Sequence, residues 1–130
     1  MFAGIDHLCL DVSDMEKAKC FYIGLLGFRQ RGDELVRGKI KMRTVFLERD
    51  GVVIELKCPT VGSIEPRPQP GGFTPQMNHV ALRTPDIQQA YRELCEKNVP
   101  FSKPPTFVQD VGRWIAVFHD PDGNCFHLTM

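Results

Sequence analysis

The chain has 130 residues, 42% hydrophobic and 25% charged, with 16 basic residues balanced by 16 acidic ones. That is the composition of one ordinary globular domain with room for a core, and it excludes a disordered chain. The absence of a concentrated lysine–arginine run excludes a nucleic-acid partner, and no apolar stretch approaches a membrane span. The start, Met1 to His7, lacks the basic and apolar regions of a signal peptide. Five cysteines (Cys9, Cys20, Cys58, Cys95, Cys125) form no C-x-x-C pair. A reducing, cytoplasmic setting is therefore expected.

In chain order, Ile5 to Val12 alternates, with Leu8, Leu10 and Val12 on one face and His7, Cys9 and Asp11 on the other, which predicts a half-buried strand. Ser13 or Asp14 then caps a helix with Glu16 near its positive end. Ala18, Phe21, Tyr22, Leu25 and Leu26 recur at helical spacing, and Gly27 ends the helix. Polar residues 29–39 read as a loop around a weak strand. Met42 to Glu48 and Val52 to Lys57 read as two strands joined by an Asp50-Gly51 turn, a strong hairpin signal.

Residues 58–76, rich in proline and glycine, predict a linker long enough to serve also as a flap. Beyond it the plan repeats. Met77 to Thr84 is a strand with His79, Ala81 and Arg83 on one face. Pro85-Asp86 opens a helix carrying Ile87, Ala90, Tyr91, Leu94 and Cys95. Val99 to Phe107 reads as irregular, broken by prolines. Trp114 to His119 and Cys125 to Met130 are strands separated by the turn Asp120 to Asn124. The expected organisation is a single domain, with a first module over about 4–57, the linker 58–76, and a second module over about 77–130.

The two modules align at a constant shift of 72 residues, which maps His7 to His79, Glu55 to His127, Asp14 to Asp86, Val45 to Val117 and Phe46 to Phe118. Strand parity puts His7, Glu55, His79 and His127 opposite the helix-packing faces of their strands. Three of the four histidines thus fall at repeat-related positions, with a glutamate at the fourth. Imidazole and carboxylate donors suit Zn²⁺, Ni²⁺, Fe²⁺, Mn²⁺ or Co²⁺ and do not choose among them. The bland alternative is a polar pocket that contacts a small-molecule substrate without metal. His119 is expected at a rim or in solvent.

The I-D-H-L start, the D-M-E-K-A-K-C-F-Y-I-G-L-L-G-F helix, the V-I-E-L strand, the N-H-V-A-L restart and the D-P-D-G-N-C-F-H-L ending resemble the vicinal oxygen chelate superfamily, which holds glyoxalase I, methylmalonyl-CoA epimerase, extradiol dioxygenases and the fosfomycin and bleomycin resistance proteins. The resemblance covers essentially the whole chain. It implies an α+β fold of two paired βαβββ modules forming a cupped mixed sheet around a cavity with one divalent metal ion, often in a homodimer. It lies nearest the glyoxalase I and epimerase branches. His7, Glu55 and His79 fall on ligand positions with the usual residue types. His127 stands where these branches carry glutamate, the residue that in glyoxalase I also moves the substrate proton. A histidine there can bind metal or act as a base. Because the modules are pseudo-equivalent, Glu55 occupies the mirror position of the missing glutamate. It is the expected base for proton abstraction next to a carbonyl, with metal stabilisation of an enediolate.

The resemblance thus implies a metal-dependent lyase or isomerase. One alternative is an extradiol-type non-haem iron dioxygenase using His7, His79 and Glu55. Another is a non-catalytic drug-binding protein of the bleomycin-resistance type, with Trp114, Phe107 and Phe73 lining a groove. Arg83 is the favoured substrate contact because it shares the His79 face, with Lys57 and Arg113 as further anion contacts. Cys9 and Cys125 share the faces of His7 and His127 and read first as small apolar fillers.

Overall fold

A computed structural model of the chain describes residue 1, residues 3–62 and residues 77–130. It divides into two compact units, Met1–Glu65 and Pro66–Met130. Each is a βαβββ module, so the class is α+β. Phe73 and most of the expected linker lie outside the described residues.

In the first module, β1 (Leu8–Asp11) leads to α1 (Met15–Lys19). The Asp14 carboxylate caps that helix by accepting from the Glu16 and Lys17 backbone N–H groups, both at 3.0 Å. The helix then widens into a π-helical stretch over Cys20–Leu25, where the Leu26 N–H donates to the Phe21 carbonyl at 3.0 Å. A regular α-helix was expected through Leu26. The wider turn puts two sequence neighbours, Phe21 and Tyr22, into the core together, with their rings edge to face at 5.2 Å. Gly27, at φ +73°, turns the chain out, and Arg49 covers the free end by donating to the Leu26 carbonyl.

Three strands follow: β2 (Arg29–Arg37), β3 (Met42–Arg49) and β4 (Val52–Pro59). The sheet order is β1-β4-β3-β2, with β1 parallel to β4 and the rest antiparallel. Asp50 and Gly51, at φ 49° and 81°, make the tight β3–β4 turn. Two expectations change here. Residues 29–37, expected as a loop around a weak strand, form a nine-residue edge strand throughout. Almost every side chain on it is exposed, so it lacks the apolar alternation by which a strand is read, and it bulges between Arg31 and Leu35. Cys58 and Pro59, expected in the linker, pair with Arg43 and Met42 and belong to β4.

The second module repeats the plan with β5 (Val80–Arg83), α2 (Ile87–Glu96), β6 (Phe101–Val108), β7 (Arg113–His119) and β8 (Cys125–Thr129), in the order β5-β8-β7-β6. Asp86, the repeat mate of Asp14, caps α2 by accepting from Gln89 N–H at 2.9 Å. Ile87 is buried, and Cys95, expected on the apolar stripe, is exposed. The stretch read as irregular is the edge strand β6. Its Pro104 and Pro105 are tolerated because an edge strand can lack N–H donors, and the register shifts around them, between Lys103 and Thr106.

Pairing also corrects the repeat. Glu55 pairs with Phe46, whereas His127 pairs with Val117. Strand β4 maps to β8 at a shift of 72, but β3 maps to β7 at 71 (117 − 46 = 71; 118 − 47 = 71). The cause is one extra turn residue: Pro121-Asp122-Gly123 replaces Asp50-Gly51, with Gly123 at φ 83°. Phe118 is therefore the counterpart of Leu47, and both are fully buried. The equivalences of Val45 with Val117 and of Phe46 with Phe118 do not hold, because a one-residue slip reverses the face.

Candidate metal-binding and catalytic residues

In each module the helix packs on one face of the sheet, with Val45, Leu47, Ile54 and Leu56 in the first core and Ala116, Phe118, Phe126 and Leu128 in the second. The candidate residues come from the distal face, away from the helix. In the first module, Glu55 is the middle of β4, buried to 8% exposure between Phe46 and Cys9 on the neighbouring strands. His7 precedes β1, and its Nε2 lies 3.2 Å from Glu55 Oε2. Its ring stands edge to face with Phe46 at 5.7 Å.

The other side of the His7 ring explains what that short approach requires. Nδ1 is 2.7 Å from Asp6 Oδ2. A carboxylate only accepts, so Nδ1 carries the proton. In the neutral tautomer Nε2 would then face Glu55 as lone pair against carboxylate, an arrangement that needs a cation between them or a second proton on the ring. The His7 pKa is accordingly raised, first by the Asp6 hydrogen bond and further by Glu55. The separation of 3.2 Å is also that of two donor atoms standing about 2.1 Å from a shared ion. Cys9 donates to Glu55, and desolvation first, then Glu55, pushes its thiol up to about 11. It is a neutral neighbour of the carboxylate, consistent with its reading as a filler.

In the second module, His79 and His127 meet as stacked rings, with centroids 3.7 Å apart and planes 11° from parallel. Asn78 Oδ1 lies 2.9 Å from His79 Nδ1, again fixing the proton there and leaving Nε2 as the donor atom for a ligand. Asp6 and Asn78 are repeat mates (78 − 6 = 72), so the same device orients the leading histidine in both modules. The sequence reading missed this pair, although the 72-residue shift could have found it. Desolvation first, then the charges of His79, Lys103 and His119, pushes the His127 pKa down to about 4. Its imidazole is therefore neutral near pH 7, as a ligand must be, and is a weak base.

The donor chemistry fits a divalent metal ion, and the rotamers fit in part. The His7–Glu55 spacing suits shared ligation. The stacked pair does not, because an ion lies in the plane of each ring that binds it and parallel planes share no such point. One ring must turn before His79 and His127 can bind together. Among the described residues no three His, Cys, Asp or Glu side chains converge as a metal site; each module brings together one pair.

Arg83 is exposed and pairs with Thr129 on the distal face, on the same strand face as Ala81 beside His127. Lys57 and Arg113 also take distal positions, opposite Thr44 and Val108. His119 alternates with Val117 and Ile115 against buried Ala116 and Phe118, so it is half-buried on the same face as His127 rather than in solvent. Trp114 has the opposite parity. It contacts Phe107 at 5.7 Å on the helix side of the sheet, so neither aromatic lines the His127 face. Thr44 is 1% exposed and its hydroxyl has no partner among the described residues.

A family described as the glyoxalase/bleomycin resistance protein/dioxygenase superfamily matches residues 4–128. The uncharacterized protein YwkD of Bacillus subtilis (strain 168) is 28% identical over 124 residues, spanning 94% of this chain and 92% of that protein. A solved member of the same superfamily from Sphaerobacter thermophilus is 32% identical, covers 98% of each chain and superposes with a TM-score of 0.68. The crystal structure of SMU.1112c shares the fold over 100% of both chains, with a TM-score of 0.89 at 22% identity. Among the described residues no helix is long and apolar enough to cross a membrane.

Proposed function

The chain belongs to the glyoxalase/bleomycin resistance protein/dioxygenase superfamily, and on that premise we propose that it is a metal-dependent lyase or isomerase that moves a proton next to a substrate carbonyl. His7, Glu55, His79 and His127 are the proposed ligands of one divalent ion, and Glu55 is the proposed base. The observation that carries this reading is the approach of His7 Nε2 to Glu55 Oε2 at 3.2 Å with Nδ1 already tied to Asp6. That approach is satisfied by a cation between the two atoms or by a second proton on the His7 ring, and we assign it to the cation. When bound, a divalent ion supplies positive charge that stabilises an oxyanion developing on the substrate.

The chain's own residues divide the remaining work. Asp6 and Asn78 occupy Nδ1 of their histidines, which leaves Nε2 of each as the ligand atom. His127, with its pKa near 4, serves as a neutral ligand, which leaves proton transfer to Glu55. Burial of Glu55 beside the Cys9 thiol and Phe46 keeps competing water away from the carboxylate. Arg83 is the proposed contact for a polar substrate group. The small-molecule groove of a drug-binding protein has less support, because Trp114 and Phe107 turn to the helix side. A homodimer is the assembly that the family resemblance suggests, and the scattered cysteines suggest a cytoplasmic setting.

The test follows the α-proton. Metal-supplemented protein is incubated in D₂O with the glutathione hemithioacetal of methylglyoxal and with a coenzyme A thioester bearing an acidic α-proton, and exchange is followed by NMR. Glu55→Gln should slow exchange by about 10²–10⁴-fold while part of the metal content persists. An undiminished rate in that variant would sink the assignment of the base.

A further inference from the structure

Among the described residues, the distal face of the second module carries only basic and neutral side chains. His79, Arg83, Lys103, Arg113, His119 and His127 all occupy it by strand parity or ring contact. Among the described residues it carries no carboxylate. The module's acids lie elsewhere: Asp86 caps α2, Glu93 and Glu96 lie on α2, Asp110 sits in the turn before β7, and Asp120 and Asp122 belong to the β7–β8 turn. The Asp120 carboxylate is spent on that turn, accepting from Asn124 Nδ2 at 2.8 Å and from the Asn124 N–H at 2.7 Å.

Arg83 and His119 are diagonal neighbours of His127 on the two flanking strands, and Lys103 shares its cross-strand row. Of the three, Lys103 and His119 are the ones whose charges act on His127. Lys103, Val117 and His127 form one cross-strand row, so Lys103 and His127 are two strand spacings apart, roughly 10 Å. His119, on its diagonal, is roughly 7–8 Å from His127. Val117 lies between them and offers no polar group to compete. Lys103 and His119 are half-buried, and Lys103 has no carboxylate partner among the described residues. The half-buried Lys103 ammonium has lost part of its hydration, and an anion set beside it supplies the missing partner.

We propose that Lys103 and His119 form an anion subsite beside His127 that takes a carboxylate, phosphate or phosphonate group of the substrate. Its assignment to substrate, rather than to a free anion, rests on the metal-site reading above. It implies that the substrate is charged at the end placed over the second module. The Lys103 ammonium supplies a mobile charge, and the His119 imidazole supplies a directional donor.

Inorganic phosphate and acetate are titrated separately into protein as isolated and into protein stripped of metal by a chelator, while the His119 and His127 ring-proton resonances are followed. Saturable shifts of both resonances are expected in both preparations. Lys103→Gln should weaken the response by about tenfold. Arg92→Gln, which removes the same charge from the exposed side of α2, should weaken it less than about twofold. Tighter phosphate binding would support a phosphate or phosphonate substrate, and tighter acetate binding a carboxylate. Absence of saturation, or equal weakening by the two variants, overturns the subsite. Metal uptake is measured alongside. A protein that takes up no metal yet keeps the Lys103-dependent response would defeat the metal reading and leave the anion subsite standing.

Discussion

The two modules share a backbone plan and differ in what they place on it. On the helix side, the first module ties its edge strand down with charge. Glu34 on β2 accepts from Arg43 at 2.5 Å and from Lys19 at 2.7 Å, and Arg43 also reaches Glu16 at 2.9 Å. In the second module the counterpart of Arg43 is Trp114 (114 − 43 = 71), packed on Phe107, the counterpart of Val36. On the distal side, the first module joins Glu55 to His7, and the second stacks two histidines within a basic surround. The scaffold tolerates both because β-pairing and core packing set the fold, while distal side chains are free to specialise.

The largest stability effects should test the core equivalence at 71 rather than 72. Phe118→Ala should cost about 3–5 kcal/mol, and Leu47→Ala about 2–5 kcal/mol, both read from denaturant midpoints. If Phe118→Ala were nearly neutral while Val117→Ala was severe, the corrected register would be wrong. A smaller effect should be confined to the first module. The Glu34 carboxyl is held at about 2, first by Arg43 and then by Lys19, below its ordinary 4.5. A depressed carboxylate contributes stability that is fully present above about pH 4.5 and is lost as the pH falls toward 2. Glu34→Gln should lower stability at neutral pH by about 1 kcal/mol, discounted for partial exposure, and should flatten that acid limb. An unchanged acid limb would remove the network from the account.

Smallest is Thr44→Val. Thr44 keeps a buried hydroxyl without a partner, whereas its counterpart Ile115 (115 − 44 = 71) is apolar. Removing the hydroxyl at constant volume should leave stability unchanged or raise it by up to about 1 kcal/mol. A clear loss of stability in thermal melts would show that the hydroxyl is satisfied.

What the sequence made legible follows the same division between backbone and side chains. Strands with one buried face, β1, β4 and β8, were readable from alternation, and both helix starts from Asp14 and Asp86. The Asp50-Gly51 turn needs positive φ at both positions, which that dipeptide signals directly. Of the edge strands, β2 was legible only as a weak strand within a loop and β6 was missed, for one physical cause: with no fully buried side chain they need no apolar period, and β6 even accommodates two prolines. The π-helical turn also escaped notice, because helical spacing cannot show how adjacent Phe21 and Tyr22 both reach the core. Strand parity placed Glu55 and His127 correctly. It did not reveal Asp6 and Asn78, whose role depends on ring hydrogen bonds, or His119, whose face becomes evident only once β7 is fixed by its pairing with β8.

The proposed metal site, with His7, Glu55, His79 and His127 as ligands, is tested most directly by metal content per chain. Elemental analysis of purified protein, supplemented with a divalent metal and then desalted, should find one ion per chain. His7→Ala and His79→Ala should each reduce that value sharply, although the two residues belong to different modules. Wild-type protein that retains no metal, or content that is unchanged in both variants, would contradict the account.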